Sequence, residues 1–240
     1  MPTPPWPLGL PTRLRPVGIL GVGASSVVWQ VRDTEVGADR AVKVVAAAPG
    51  STVDPARRAE TEARALARLA GLAGVVELHE VGRTQDGAAW LVYDLVSGGT
   101  LAALGPCSDE ELVRVGVRLA VTLVGAHRLE VHHGDISPTN VLIDAGGAPL
   151  LADFGMAGLG HAPDDPGGLT PAYAAPERLH GAPPSAASDV WSLAATLAAV
   201  AGPGLPARTR NVLSCCCAPL PGDRPDAATL ADELRGPRSR

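Results

Sequence analysis

Lysine is nearly missing from this 240-residue chain: of its twenty Lys and Arg side chains, Lys43 alone is Lys. Phe is equally scarce, with Phe154 alone, and Asn stands only at Asn140 and Asn211. Aromatic residues make up 3%, and the Cys number four, at 107 and 215 to 217. Three adjacent Cys point in different directions and lack the paired spacing of a zinc site, so thiols acting as small core residues in a reducing cytoplasm are expected. Positive charge is also short. A net charge of -5 gives no basic field for a polyanion, which argues against nucleic-acid binding. The most apolar stretch, 191 to 201, ends at Gly202-Pro203 and reads as a buried helix, so no membrane span is expected. The Pro-rich start, Met1 to Pro16, has neither the basic nor the apolar region of a signal peptide, and a soluble, cytoplasmic chain is expected. What is present, 46% apolar and 19% charged residues, suffices for one large core or two small ones and excludes a disulfide-stapled peptide, a collagen repeat or an acidic disordered tail.

After the Pro-rich lead, Val17 to Val31 is β-branched and broken by Gly21 and Gly23, which predicts strand, tight turn, strand. Arg40 to Ala46 predicts a third strand. Asp54-Pro55 reads as an N-cap with Pro at the first helical position, opening a helix to about Leu69. Two more strands are expected near Val75 to Val81 and Ala89 to Leu95, around a turn at Gln85-Asp86-Gly87. The period then changes: Ser108 with Glu111 is a capping box, followed by Leu112, Val115, Leu119, Leu123 and Ala126 at helical spacing. Short strands and loops around 141 to 152, a Gly/Pro-rich loop from Gly155 to Leu169, and helices near Ser188 to Ala201 and Ala227 to Arg235 complete the pattern. A strand-rich first third and a helix-rich remainder predict two lobes with a cleft at their junction, near Leu95 to Gly99.

Gly21-x-Gly23-x-x-Ser26-x-Val28 is a turn whose missing side chains let backbone N–H groups close over phosphates. A dinucleotide fingerprint needs a helix straight after the glycines, whereas Val27 to Val31 continues as strand, so a mononucleotide lid is favoured. Lys43 stands in a strand among apolar residues and needs an anion. At 100° per residue Glu62 falls within about 40° of Leu66 and Leu69, while Glu60 lies well away, so Glu62 is the better partner. An ion pair that serves only the fold is the alternative, though such pairs add little net stability. Downstream, Asp135 and Asn140 in His133 to Asn140, and Asp153 in Asp153-Phe154-Gly155, place two carboxylates and an amide in polar breaks after apolar segments. Hard oxygens of this kind suit magnesium and the orientation of a hydroxyl.

With these motifs in order, the chain resembles the eukaryotic-type, bacterial-like serine/threonine protein kinase family, as a divergent member. Ala175-Pro176-Glu177, Asp189-Val190-Trp191-Ser192 and Arg224 extend the resemblance over roughly residues 14 to 235. It implies an α+β, two-lobed fold: a small antiparallel N-lobe sheet with one helix (14–95) and a mainly helical C-lobe (96–235), flanked by a Pro-rich segment (1–13) and an Arg-rich tail (236–240). It further implies ATP and magnesium. Lys43, held by Glu62, would contact the α- and β-phosphates under Gly21, Gly23 and Ser26, while Asp153 and Asn140 would hold the metal. Asp135 would orient the attacking hydroxyl and accept its proton. Val28, Ala41 and Leu142 would sandwich the adenine, with Tyr93 behind and the Asp94 carbonyl and Val96 N–H on the base edge. Glu177 with Arg224, and Asp189 beneath the catalytic loop, would brace the lower lobe; His132 is expected to be a bystander. The single Lys, the single Phe and one of two Asn fall on motif positions, which compositional drift alone would not favour.

Four departures matter. Ser26 replaces the third glycine, and Gly134 replaces the Arg that in most regulated kinases binds an activation-segment phosphate. That segment has no Ser, Thr or Tyr between Gly155 and Leu169, only Asp164-Asp165, and Thr170 is its first hydroxyl; independence of activation-segment phosphorylation is expected. Ser137 replaces the Lys that neutralises the transferring phosphoryl group, at a cost of about 10² to 10³ in rate. The chain between Asp189 and Arg224 is too short for a late helix that docks protein substrates. Three readings stay open: an active protein kinase with a protein substrate or signalling partner, a pseudokinase scaffold, and a small-molecule phosphotransferase of the kinase-like superfamily.

Overall fold

A computed structural model describes residues 5–7, 9–23, 25–46, 54–84, 87–157 and 169–236. The first lobe is a five-stranded antiparallel sheet of β1 (Leu14–Val22), β2 (Ser26–Asp33), β3 (Ala38–Val45), β4 (Leu78–Arg83) and β5 (Ala89–Asp94), in the order β1-β2-β3-β5-β4. Period-two alternation sorts its side chains. Val42 and Val44 of β3 and Trp90 and Val92 of β5 enter an outer cluster, while Val45, Leu91 and Tyr93 enter the main core. Lys43 therefore faces inward, paired in register with Leu91. Because β5 is buried on both faces, its sequence runs apolar without alternation. The outer face is covered by the Pro-rich lead, whose Leu10 is buried in that cluster and whose Trp6 packs edge-on against Trp29 at 5.3 Å.

Helix α1 (Pro55–Arg68) lies between β3 and β4, and the Asp54 carboxylate caps it by accepting from the Ala56 N–H at 3.0 Å. It packs against β3, β4 and β5, which sets its inward stripe over Lys43. The expected strand at 75 to 81 begins only at Leu78; Val75 instead bridges Leu151 of the other lobe. Gln85, Asp86 and the loop residues Asp164 and Asp165 lie outside the described residues.

The second lobe is built on α2 (Asp109–Arg128), whose Ser108–Glu111 capping box forms as expected. A two-stranded ribbon, β6 (Val141–Ile143) and β7 (Pro149–Leu151), lies on it, followed by α3 (Pro176–Leu179), α4 (Ala186–Val200), α5 (Ala207–Cys216) and α6 (Ala227–Arg235). Helix α5 has no counterpart in the sequence expectation. Its buried residues Thr209, Leu213 and Cys216 follow at four and three residues, a helical stripe that packs on α4 and α6. Residues 201 to 206, which join α4 to α5, contain no helix, but α5 itself falls between Asp189 and Arg224, where the chain is expected to be too short for a further helix. Of the four thiols, Cys107 and Cys216 are buried and Cys217 half-buried, whereas Cys215 is exposed and so is not the core residue expected. Burial pushes the Cys216 thiol up to about 12. No helix among the described residues is long and apolar enough to cross a membrane.

Candidate functional site

The cleft between the lobes gathers the residues singled out by their motifs. The Gly-rich turn is closed by the Gly23 N–H donating to the Ser26 carbonyl at 2.7 Å, with Gly21 opposite Val28 in the β1–β2 ladder. Strand follows the turn, as a mononucleotide lid requires. Val28 sits across the β2–β3 ladder from Lys43, while Ala41, Val96 and Leu142 pack half-buried against the main core. The Asp94 carboxylate is engaged through Oδ1 by Arg40, and the same oxygen lies 2.8 Å from His79 Nε2.

Lys43 Nζ donates to Glu62 Oε2 at 2.8 Å and to Asp153 Oδ1 at 2.6 Å. Glu62 is the partner that the helical stripe selects; Glu60 instead meets Arg83 and Arg64 at the surface. Tyr93 donates its hydroxyl to the other Glu62 oxygen at 2.6 Å. Burial raises the Glu62 pKa against the pull of Lys43, and burial followed by the Glu62 charge lifts that of Tyr93 well above its ordinary value. Burial also works against charge on Asp153, but the Lys43 ammonium outweighs it and holds this carboxyl below the usual aspartate range. Asp153 has φ +64, a left-handed conformation that costs a non-glycine residue of order 1 kcal/mol or more and is typical of functional positions.

Asp135 lies across the cleft. Its Oδ1 accepts from the Thr170 N–H at 2.8 Å, and its Oδ2 accepts from Asn140 Nδ2 at 3.0 Å and from the Thr170 hydroxyl at 3.2 Å. Burial raises the Asp135 pKa despite the Thr170 donors, making it a better proton acceptor than a free aspartate. Asn140 uses its amide N–H groups on Asp135, which leaves its carbonyl oxygen as an acceptor. That oxygen and the Asp153 carboxylate are hard donors of the kind magnesium takes, so the residues present fit the metal.

The loop that carries Asp135 is fixed from beneath. Asp189, at the start of α4, accepts from the His133 and Gly134 N–H groups at 2.9 Å each, and His127 Nε2 lies 2.9 Å from it. Burial disfavours the Asp189 charge, yet the His127 contact and these donors lower its pKa. His133 is buried, 2.9 Å from the Ala152 carbonyl and ring to ring with Phe154 at 4.5 Å, which fastens the two catalytic segments together. His132 packs against His127 in a tilted ring pair at 5.4 Å. At Gly134 φ is +80, and a Cβ would lie 3.0 Å from Pro184 Cγ and 3.1 Å from the Met156 carbonyl, so any side chain there would be strained and tightly packed. Ser137 is buried with its hydroxyl 3.0 Å from that of Thr139. Glu177 and Arg224 form a two-pronged ion pair at 2.7 and 2.8 Å in the lower lobe.

Sequence reasoning passed over Arg58 and Ser25. Both line the same cavity, of about 60 Å³, as Lys43, Glu62, Asp135 and Asp153. A larger cavity of about 190 Å³, between Pro106 and Leu205, contains none of the motif residues.

The protein kinase domain family matches residues 14–218. This chain belongs to that family. Among curated relatives, the kinase resembles the serine/threonine-protein kinase PknK of Mycobacterium tuberculosis (strain ATCC 25618 / H37Rv), with 32% identity over 92% of this chain and 23% of PknK. It is 34% identical to the DNA damage-responsive serine/threonine-protein kinase RqkA of Deinococcus radiodurans, over 84% of this chain and 31% of RqkA. It is also 34% identical to CBL-interacting protein kinase 22 of Oryza sativa subsp. japonica, over 82% of this chain and 50% of that protein. The chain thus spans half or less of the length of these relatives, two of which are named serine/threonine-protein kinases.

Proposed function

We propose that this kinase transfers the γ-phosphate of ATP, with magnesium, to a Ser or Thr hydroxyl of a protein, and that it does so without a phosphate on its own activation segment. The observation that supports this best is the convergence of Lys43, Glu62 and Asp153 on one side of the cleft with Asp135 and Asn140 on the other. Lys43, oriented by Glu62, would bind the α- and β-phosphates. Asp153 and Asn140 would hold magnesium, whose charge offsets that of the triphosphate. Asp135 would accept the hydroxyl proton of the substrate, a role that its raised pKa favours. Positioning and charge supply most of the acceleration in such a reaction. The glycine at 134 supports independence from an activating phosphate, since an arginine that would bind one is absent and would be strained at φ +80.

A second reading, a nucleotide-binding scaffold, is favoured by the hydroxyl at Ser137 in place of a cation and by the Thr170 donors on Asp135. The small-molecule phosphotransferase reading is disfavoured by the short turn Pro171–Tyr173 leading into α3, which belongs to a peptide platform. Purified protein is tested with Mg·ATP beside Lys43→Met, for thermal shift and for autophosphorylation. Shift with transfer supports the kinase reading; shift without transfer supports the scaffold. An activating phosphate on Thr170 in phosphopeptide maps overturns the independence claim.

A further inference from the structure

We propose that Tyr93 is a positioning residue for Lys43: its hydroxyl holds one oxygen of Glu62, so that the other stays turned to the ammonium that is to meet the phosphates. The assignment rests on the proposed phosphotransfer reading and extends it from β3 and α1 to β5. Tyr93 pairs in register with Ala41, two residues from Lys43, so the two side chains leave the sheet on the same face, towards α1. Glu62 meets both of them from α1. Its Oε2 accepts from Lys43 Nζ at 2.8 Å and its Oε1 from the Tyr93 hydroxyl at 2.6 Å.

The supply of donors makes this hydroxyl matter. The Glu62 side chain is 2% exposed, so water does not serve its oxygens, and among the described residues its side-chain donors are these two. Lys43 is a divided donor, because its Nζ also donates at 2.6 Å to Asp153, the more exposed of the two carboxylates. Without the Tyr93 hydroxyl, Oε1 is a buried acceptor with no partner, which is costly, most of all on a charged group. The carboxyl then escapes by taking up a proton, the direction in which burial already pushes it, or by turning Oε2 away. Either way the ammonium is left to Asp153, and α1 no longer sets its position.

A tyrosine suits this task. Burial and the Glu62 charge keep the phenol protonated, so it remains a donor. A cation at 93 would draw Glu62 from Lys43, and an apolar ring would leave Oε1 unserved; a neutral donor does neither. The other charged groups on β4 are engaged elsewhere: His79 with Asp94, Glu80 with Arg13, and Arg83 with Glu60. Glu62 shares its cavity with Lys43, Arg58, Asp135 and Asp153. Strand β5 ends at Asp94, beside the expected seat of the base edge, so one strand would serve both the adenine and the carboxylate that orients Lys43.

The test is a double-mutant cycle of Tyr93→Phe and Lys43→Met, read by transfer rate and by calorimetric Kd for Mg·ATP, with melting temperatures alongside. Tyr93→Phe removes the hydroxyl and keeps the ring. It is expected to slow transfer about tenfold and to weaken Mg·ATP binding about threefold or more, but to cost less than about twofold in either once Lys43 is replaced. The acid limb of Mg·ATP binding is expected to move to higher pH in Tyr93→Phe, because Glu62 loses a donor that favours its charged form. Equal losses in both backgrounds, or a lower melting temperature with rate, binding and acid limb unchanged, overturn the inference and leave the kinase reading intact. A wild type that binds Mg·ATP without transferring phosphate overturns the kinase reading, and the cycle in Kd then decides the role of Tyr93. A wild type that does not bind overturns both. If Tyr93→Phe has no cooperative melt, Tyr93→Met takes its place in the cycle with the same two outcomes.

Discussion

Arg224 and Lys43 each hold a glutamate, one in each lobe, and differ in everything around that contact. The Arg224 guanidinium meets Glu177 with both prongs, donates to the carbonyls of Ala218, Ala187 and Pro219, and lies 4.9 Å above the Trp191 ring. Its side chain is fully buried. Every donor direction is used within the protein, and the result is a brace between α3, α4 and the loop before α6. Lys43 instead shares one ammonium between Glu62 and Asp153, and Asp153 remains 40% exposed at the cleft with a strained backbone. Charge in a saturated pair holds the fold, whereas charge shared across an open cleft is available to a ligand.

Breaking the brace has the largest expected effect on folding. Arg224→Met leaves Glu177 and three carbonyls without their donor, a loss of about 3–5 kcal/mol by comparison with other buried pairs. A melting temperature lower by about 10 °C or more checks it. Lys43→Met is expected to do the opposite: a fall of about 10² to 10³ in transfer rate with a smaller change in melting temperature, because Glu62, whose pKa burial already raises, can take up a proton beside the Tyr93 hydroxyl, and solvent reaches Asp153. Equal melting shifts for the two variants would erase the distinction.

Acidification separates the same two regions. The Asp135 pKa is raised by burial, so transfer is lost as pH falls while still above the ordinary aspartate value. Burial disfavours the Glu177 charge, but Arg224 outweighs it and depresses the pKa; its contribution to stability is therefore present above the ordinary glutamate value and is lost only as pH falls through the lower folded value. Rate and melting temperature measured along one pH series should show activity disappearing first. The smallest effect is expected far from both pairs: Trp6→Ala removes an edge-to-face contact with Trp29, about 1 kcal/mol, and should leave transfer unchanged.

Rarity made much of this site legible in the sequence. In a chain that uses Arg almost everywhere, one Lys in an apolar strand marks itself, and the helical stripe then selects Glu62 over Glu60. The order of the motifs carried the two-lobed fold and the roles proposed for Asp135, Asn140 and Asp153. Abundance hid what was missed. Arg58 is one of nineteen arginines, most of them solvated, and only its place on the stripe of Glu62 separates it from Arg57. Helix α5 was overlooked because Thr, Asn, Val and two Cys are indifferent helix formers, although its four- and three-residue spacing of buried side chains was there to be read. The crowding at Gly134 depends on Pro184, fifty residues away in sequence, and no local pattern announces it.

The central claim, that Asp135 serves a working phosphotransfer centre, is tested most directly by one comparison. Initial rates of transfer from γ-labelled Mg·ATP to a Ser/Thr peptide pool are measured for wild type and Asp135→Asn near neutral pH. The account predicts measurable transfer by wild type and a loss of about 10² to 10⁴ in the variant, with the nucleotide-induced thermal shift retained in both. Equal rates, or a wild type that takes up nucleotide without transferring phosphate, would contradict it.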